Sequence, residues 1–362
     1  MSLQRILAFC GACIAFYIGA GFATMQEVMQ YEASYGSQFW VVIAVAALIY
    51  VYTNISFVNN GNRLKLKNGG DIYEVYCGKW IGKFFNYFSA LFCYMSFVVM
   101  CGGANSTAME QWGLPNGMGA IILAVLVVLT AIAGLNGIVK TLGILGPVII
   151  LFIIGVSIYS AINGWNNLGI GLESVDTHKY EIAQVGNGNP VASGASYGGF
   201  VILWFAAFLG GIGSRNNKKE VNVGMLLSTI AIFGVAAICC IALITNIDMT
   251  WNAGVPALAL AKNIHPWLAE AFAFIIFIGI YTSACPLLWT GIRKLSDEGT
   301  SKYKWLTIAG GALGCLIACF VSYQPLLNVI YGLNGYLGFI LVAFMIVNDV
   351  RVWRKSKNDN SL

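Results

Sequence analysis

Charge is what this chain has least of. Only 10% of its 362 residues are Asp, Glu, Lys or Arg, 58% are hydrophobic, and the mean hydropathy is +0.75. A soluble domain carries about a quarter charged residues, so an ordinary soluble fold is excluded and a polytopic membrane protein is expected. Histidine is almost absent: His178 and His265 both fall between apolar runs, which removes a buried imidazole as proton carrier. No HExxH, GxSxG or P-loop occurs, and no Ser/His or Cys/His pair is available inside a run, so an enzyme is not expected. No Arg or Lys lies in the core of a run, which disfavours a strongly anionic substrate held by side-chain cations. The ten cysteines sit mostly in apolar runs, where a thiol acts as a small hydrophobe, and imply no disulfide framework. Cys10 and Cys13 form a CxxC with no second Cys or His pair, too little for a metal centre. The first run follows Arg5 without a small-residue cleavage site, so a retained helix is expected rather than a removed signal peptide.

What is present is apolar length. Measured against the roughly 20 residues needed to span a bilayer, the sequence predicts ten segments. The first five are Ile6 to Tyr31, Phe39 to Val58, Phe84 to Ala108, Met118 to Leu135 and Leu142 to Ile162. The second five are Pro190 to Gly213, Val223 to Ile247, Trp267 to Leu288, Leu306 to Val321 and Leu326 to Asn348. The expected organisation is a five-helix repeat over 1–162, an extracellular loop over 163–189, a second repeat over 190–350 and a cytoplasmic tail over 351–362. With the N-terminus inside, all 20 basic residues except Lys179 and Lys262 fall on the inner side. Both termini are therefore expected in the cytoplasm of a bacterial inner membrane. The net charge of +5 is topological and gives no reason to expect nucleic acid; the partners expected are lipid bilayer, a small solute and a coupling ion.

An odd number of spans in each half sends the second half into the membrane from the opposite side, so segment six should mirror segment one. Segment one is interrupted at Gly19-Ala20-Gly21, where glycines at membrane depth weaken the helix. Thr24 then reads as the N-cap of a second half-helix with Glu27 in the capping-box position. Segment six carries a comparable stretch, Ser196-Tyr197-Gly198-Gly199-Phe200. Paired broken helices point to a central binding site; close helix packing is the other reading of the same glycines. Glu27, the acid placed well inside the apolar profile, is either a proton carrier, gate or amine partner, or simply a cap.

These residues bring a family into view. GAGFATMQEVMQY in segment one, VVMCGGANSTAMEQWGLP closing segment three, IGSRNNKKE after segment six, IYTSACPLLWTGIRKL in segment eight and YGLNGYLGF in segment ten resemble the YkvI-type bacterial membrane proteins. These are a branch of the amino acid–polyamine–organocation superfamily. The resemblance covers nearly the whole chain and implies the LeuT fold: an all-α polytopic protein of ten helices in a 5+5 inverted repeat with helices 1 and 6 broken. Thr24-Met25 replaces the small Ser-Gly-like pair of relatives, and segment six lacks their Gly-Phe-Glu triplet.

The implied function is sodium-coupled symport of a small amino-acid-like or amine solute by alternating access. The alternatives are proton coupling through Glu27, or a channel or sensor on the same scaffold. The resemblance implies substrate contacts from the backbone of Gly19, Ala20 and Gly21 with Tyr197, Gly198 and Gly199, whose free amides bind a carboxylate and whose carbonyls bind an amine. Phe16, Phe200 and Trp204 are candidate aromatic walls and Tyr94 a candidate hydroxyl, with ordinary helix packing as the competing reading. For sodium, the only bound ion expected, it implies the Thr282 and Ser283 hydroxyls with carbonyls of Ala15, Ile18 and Gly279. The competing reading is a bond back to the preceding helical turn.

Overall fold

The computed structural model describes residues 2–18, 20–66, 69–133 and 136–359, and every regular element among them is helical. Segment one forms α1 (Leu3–Tyr17), α2 (Ala20–Ala23) and α3 (Gln26–Tyr31). Then come α4 (Phe39–Leu64), α5 (Ile72–Trp112), α6 (Met118–Ala133) and α7 (Asn136–Asn163), followed by α8 (Leu168–Asp176) within the polar stretch expected as a loop. The second half comprises α9 (Pro190–Arg215), α10 (Lys218–Thr245), α11 (Ile247–Thr250), α12 (Pro256–Ile264), α13 (Pro266–Arg293), α14 (Ser301–Phe320) and α15 (Tyr323–Asp359). Helix ends follow local chemistry. The Asn189 side chain accepts from the Val191 and Ala192 amides with Pro190 in the first turn, and Thr300 accepts from the Tyr303 amide.

Among the described residues, each of the ten apolar segments lies mainly on helix. Among the described residues, seven helices are long and apolar enough to cross a membrane. An eighth candidate is the pair 149–163 and 165–176, bent by 67°, while Leu3–Ile14 and Met118–Ala133 are shorter apolar helices. The chain is thus a multi-pass membrane protein.

The helix pairing has an internal order. Numbering helices by segment, three packs on eight (α5 on α13), two on seven (α4 on α10) and four on nine (α6 on α14). Two on six (α4 on α9) has its counterpart in seven on one (α10 on α1), and three on ten (α5 on α15) in eight on five (α13 on α7). Exchanging each segment with the one five places later maps these pairs onto one another.

Segment six corrects the sequence expectation: α9 runs unbroken through Ser196 to Phe200. Its glycines are used for approach instead. A Cβ on Gly199 would overlap the Gly335 carbonyl of α15, one on Gly338 would overlap the Gly199 carbonyl, and one on Gly198 would meet Ile49 of α4 at 2.8 Å. The Ser196 hydroxyl adds a 3.1 Å bond to the Gly332 carbonyl. Helices this close need small residues at the crossing, and that need, not a break, accounts for the glycine pair.

Two connections fold over the broken end of segment one. In α12, Ala257, Leu258, Leu260 and Ala261 are buried, and the Ala257 amide donates to the Thr24 carbonyl at 3.0 Å. The Val255 amide ahead of α12 donates to both carboxylate oxygens of Glu110 at the end of α5, each at 3.1 Å. From the 163–189 stretch, the Val185 amide donates to the Gln30 carbonyl at 3.2 Å.

Candidate functional site

Segment one is interrupted twice. α1 stops at Tyr17, and Ile18 is extended, its amide donating back to the Ile14 carbonyl. Gly19 lies outside the described residues. After the single turn of α2, Met25 takes φ 60° and ψ 13°, left-handed backbone uncommon for a residue with a side chain. The Thr24–Met25 pair thus forms the second interruption.

The capping box expected here is absent. The residue ahead of α3 is Met25, without a side-chain cap; the Thr24 hydroxyl still accepts from the Gln26 amide at 3.4 Å, but it donates to the Gly21 carbonyl at 3.1 Å, lies 3.0 Å from the Tyr323 hydroxyl, and has no reciprocal bond from Glu27. The left-handed turn moves the cap position to Met25, whose thioether side chain is a poor substitute for a capping oxygen. Glu27 is thereby left for other work. Its Oε2 accepts from the Tyr197 hydroxyl at 3.4 Å, its Oε1 has no hydrogen-bond partner, and the residue is 1% exposed. Gly21 faces it so closely that a Cβ there would overlap the carboxylate.

Around Glu27 lies an aromatic nest. Tyr31 stacks on Tyr197 with ring centroids 4.7 Å apart, Phe200 stacks on Tyr331 at 4.7 Å, and Trp204 stacks on Phe92 at 5.8 Å. Tyr17 meets Tyr197 edge-on at 6.2 Å and Tyr50 at 5.7 Å. The hydroxyls of Tyr31, Tyr50 and Tyr331, the indole nitrogen of Trp204 and the carboxylate of Glu32 are buried without hydrogen-bond partners. Native interiors leave few such atoms, and their concentration around segment one singles this region out as the candidate site.

The sequence-predicted residues separate into two sets. Gly21, Glu27, Tyr197, Phe200 and Trp204 come together in this nest. Gly198 and Gly199 do not: the intact helix consumes their amides, and their faces are filled by α4 and α15. Tyr94 is likewise elsewhere, its hydroxyl donating to the Gly310 carbonyl of α14 at 3.0 Å beside a cavity of about 300 Å³ between α5, α13 and α14. Gly291 leaves room for its Cα and Cβ and Gly310 for its ring, so it packs between α13 and α14, apart from the nest. Phe16 sits below the nest, stacked on Phe208 at 4.6 Å and edge-on to Phe205 at 5.1 Å. Ala20 lies on the short turn α2, which packs on α13, the helix of the proposed sodium residues. There the Thr282 hydroxyl donates to the Gly279 carbonyl at 2.8 Å, the local bond of the competing reading, and Ser283 is half-buried. Ala15 and Ile18 flank the end of α1.

Sequence reasoning passes over Glu32, 0% exposed, along with Tyr31 and Tyr331. Glu32 follows the last apolar residue of segment one directly, and so reads as the span's wet edge. The available signal is its spacing, five residues beyond Glu27 on a segment that is already broken.

With this geometry in place, comparison with solved structures shows the fold. The chain superposes on the inward-facing conformation of Mhp1 with a TM-score of 0.60 at 15% identity, covering 97% of this chain and 77% of that one. Mhp1 in a closed conformation with bromovinylhydantoin bound, described as a nucleobase-cation-symport-1 family transporter, gives 0.59 at 14% identity over 90% and 74%. The Eremococcus coleocola manganese transporter in complex with an aromatic bis-isothiourea substituted compound gives 0.51 at 14% over 95% and 78%. These are LeuT-fold transporters, and this chain has their fold. No protein-family model and no curated protein matches the sequence.

Proposed function

We propose that this protein is a secondary active transporter carrying a small amino-acid-like or amine solute across the bacterial cytoplasmic membrane. The single observation that carries the reading is the twice-interrupted segment one with the buried, half-unpartnered Glu27 at its break. Irregular backbone at membrane depth persists where it lines a cavity, and an acid there is a functional residue by default. The fold shared with two kinds of transporter supports it, as does the helix pairing that exchanges the two halves. In this reading the chain makes ten crossings as a 5+5 inverted repeat with both termini inside, and works by alternating access. Saturable uptake into proteoliposomes, driven by an ion gradient, is the expected result; uptake that never saturates would mean a channel, and none would mean a sensor.

Sodium is the coupling ion proposed, held by the Thr282 and Ser283 hydroxyls with carbonyls of Ala15, Ile18 and Gly279. The packing of α2 on α13 supports the reading, since the turn after the first interruption lies against the helix that carries these hydroxyls. Thr282 can donate its proton to the Gly279 carbonyl and still turn an oxygen lone pair toward the ion, so its local bond does not compete with this role. Replacing sodium by potassium is expected to lower uptake by about ten-fold or more, and Thr282→Ala/Ser283→Ala to remove that dependence. Indifference of the wild-type protein to sodium at every pH tested would make these hydroxyls structural.

A second reading is favoured by Glu27 itself, which carries a titratable group where the alternative cap role has dropped out. If protons are the coupling ion, Glu27→Gln, which keeps the side chain's size, abolishes the pH dependence of uptake. Wild-type pH dependence in that variant would rule the proton role out.

A further inference from the structure

The two buried acids of segment one have no countercharge, and that fact narrows the solute. Of their four carboxylate oxygens, Glu27 Oε1 and both oxygens of Glu32 lack hydrogen-bond partners, and the residues are 1% and 0% exposed. Among the described residues the ion pairs are Arg5 with Glu220 at 3.8 Å and Arg293 with Asp297 at 2.9 Å, neither involving these acids. Buried carboxylates are ordinarily paired or bonded, so a site that leaves three oxygens open is built to receive something that supplies positive charge or N–H donors.

The surroundings say what kind of group fits. Tyr17 and Tyr197, whose rings meet edge-on, each lie within electrostatic reach of both acids, and the Tyr197 hydroxyl donates to Glu27 at 3.4 Å, so the two carboxylates share an aromatic neighbourhood. Ring faces attract cations, most strongly where water is excluded. Tyr31 and Tyr331, both within reach of Glu27, add stacked rings to the same neighbourhood. A carboxylate on the solute finds nothing comparable. The amides of segment six are spent inside an intact helix, and no Lys or Arg side chain pairs with these acids among the described residues. A divalent metal is poorly served too, because among the described residues no three His, Cys, Asp or Glu side chains converge.

We propose that the solute is a small organic cation, an amine or guanidine without a carboxylate of its own, whose charge is taken by Glu32 together with Glu27. This rests on the transporter reading above and replaces its amino-acid-like option with a cationic one. Glu32 enters as a substrate-binding residue in its own right. Because the helix 1 break and the Tyr17–Tyr197 pair lie together, motion of segment one alters the access of both acids at once.

The test uses the purified full-length chain, in detergent for thermal stabilisation and in proteoliposomes for uptake. Butylamine, butylguanidine and choline are compared with leucine and butyrate at equal concentration. At least one cation is expected to stabilise the protein and to accumulate in response to an inside-negative potential, with leucine and butyrate inert. Glu32→Gln is expected to weaken that cation's apparent affinity by about ten-fold or more with ligand-free melting unchanged, and Glu32→Asp to retain part of it. Stabilisation and uptake of leucine with the cations silent would overturn the proposal and leave the transporter reading intact. Failure of all five solutes to bind or accumulate would overturn both. A folded Glu32→Gln that binds the cation as wild type does would remove Glu32 from the site. Should that variant fail to fold, Glu27→Gln carries the same expected loss, and wild-type affinity in it would overturn the sharing of the charge between the two acids.

Discussion

Gly199→Val is expected to leave no monodisperse protein after extraction in mild detergent. The position lies in the crossing of α9 and α15, where a Cβ overlaps the Gly335 carbonyl and comes within 2.9 Å of the Phe339 amide. Overpacking typically costs about 1–3 kcal/mol when side chains can shift, but here the obstacles are backbone atoms of a neighbouring helix. The contact is also reciprocal, since Gly338 approaches the Gly199 carbonyl equally closely, so the helices must separate along the crossing and lose the Ser196 to Gly332 bond as well. The loss should therefore reach or exceed the top of that range. Gly198→Ala is the milder case: its obstacles are the Cγ2 and Cβ of Ile49 at 2.8 and 2.9 Å rather than a carbonyl at closer range, but a rotamer change cannot move the Cβ, so α4 must shift slightly and the expected loss is about 1–3 kcal/mol. Size-exclusion profiles and melting curves of the two variants check this. A Gly199→Val protein that elutes and melts as wild type does would mean that the crossing is not held as described.

The same pair of glycines shows what can and cannot be read in the sequence. Apolar runs are legible because spanning a bilayer demands length, and among the described residues each of the ten predicted segments lies mainly on helix. That segment one is interrupted is legible too, because its glycines are followed by a polar stretch, Thr24 to Glu27, that a plain packing helix has no need of; the place is not, since Ala20 and Gly21 lie in helix α2 and the irregular backbone among the described residues is at Ile18 and Met25. Segment six carries glycines with apolar residues after them, a pattern shared by a broken helix and a tightly packed one. Only the partner helix decides between these, and the partner, with Gly335 and Gly338, lies over a hundred residues away. Glu32 is illegible for a related reason. An acid at the end of a run marks a wet edge unless other chain covers it, and here the covering chain is the 163–189 stretch, whose Val185 amide reaches the Gln30 carbonyl. Tyr94 fails in the opposite sense. Its place within segment three is plain from the apolar run, but which way it faces depends on Gly291 and Gly310, and spacing within one segment carries no such information.

Gly21→Ala is expected to abolish uptake while leaving a folded, membrane-inserted protein. Even a methyl group at this position would overlap the Glu27 carboxylate, and 2.4 and 2.5 Å separate its place from the Glu27 Cγ and Cδ atoms. Unlike the Gly335 carbonyl, the obstacle is a side chain, so the fold survives if Glu27 swings away. It cannot do so without consequence, because Glu27 is buried and its Oε2 is placed by the Tyr197 hydroxyl. Displacing the carboxylate removes it from the aromatic nest, so transport fails through a residue that was not itself altered. The interaction can be isolated by a double-mutant cycle on melting stability. Gly21→Ala alone is expected to cost about 1–3 kcal/mol, and in a Glu27→Ala background, where no carboxylate stands in the way, much less. A coupling energy of about 1 kcal/mol or more between the two sites, with uptake lost in each single variant, is the expected outcome. Additive stabilities, or normal uptake by Gly21→Ala, would show that Glu27 is not held against the turn at Gly21 in the working protein. The site at the break of segment one would then have to be abandoned.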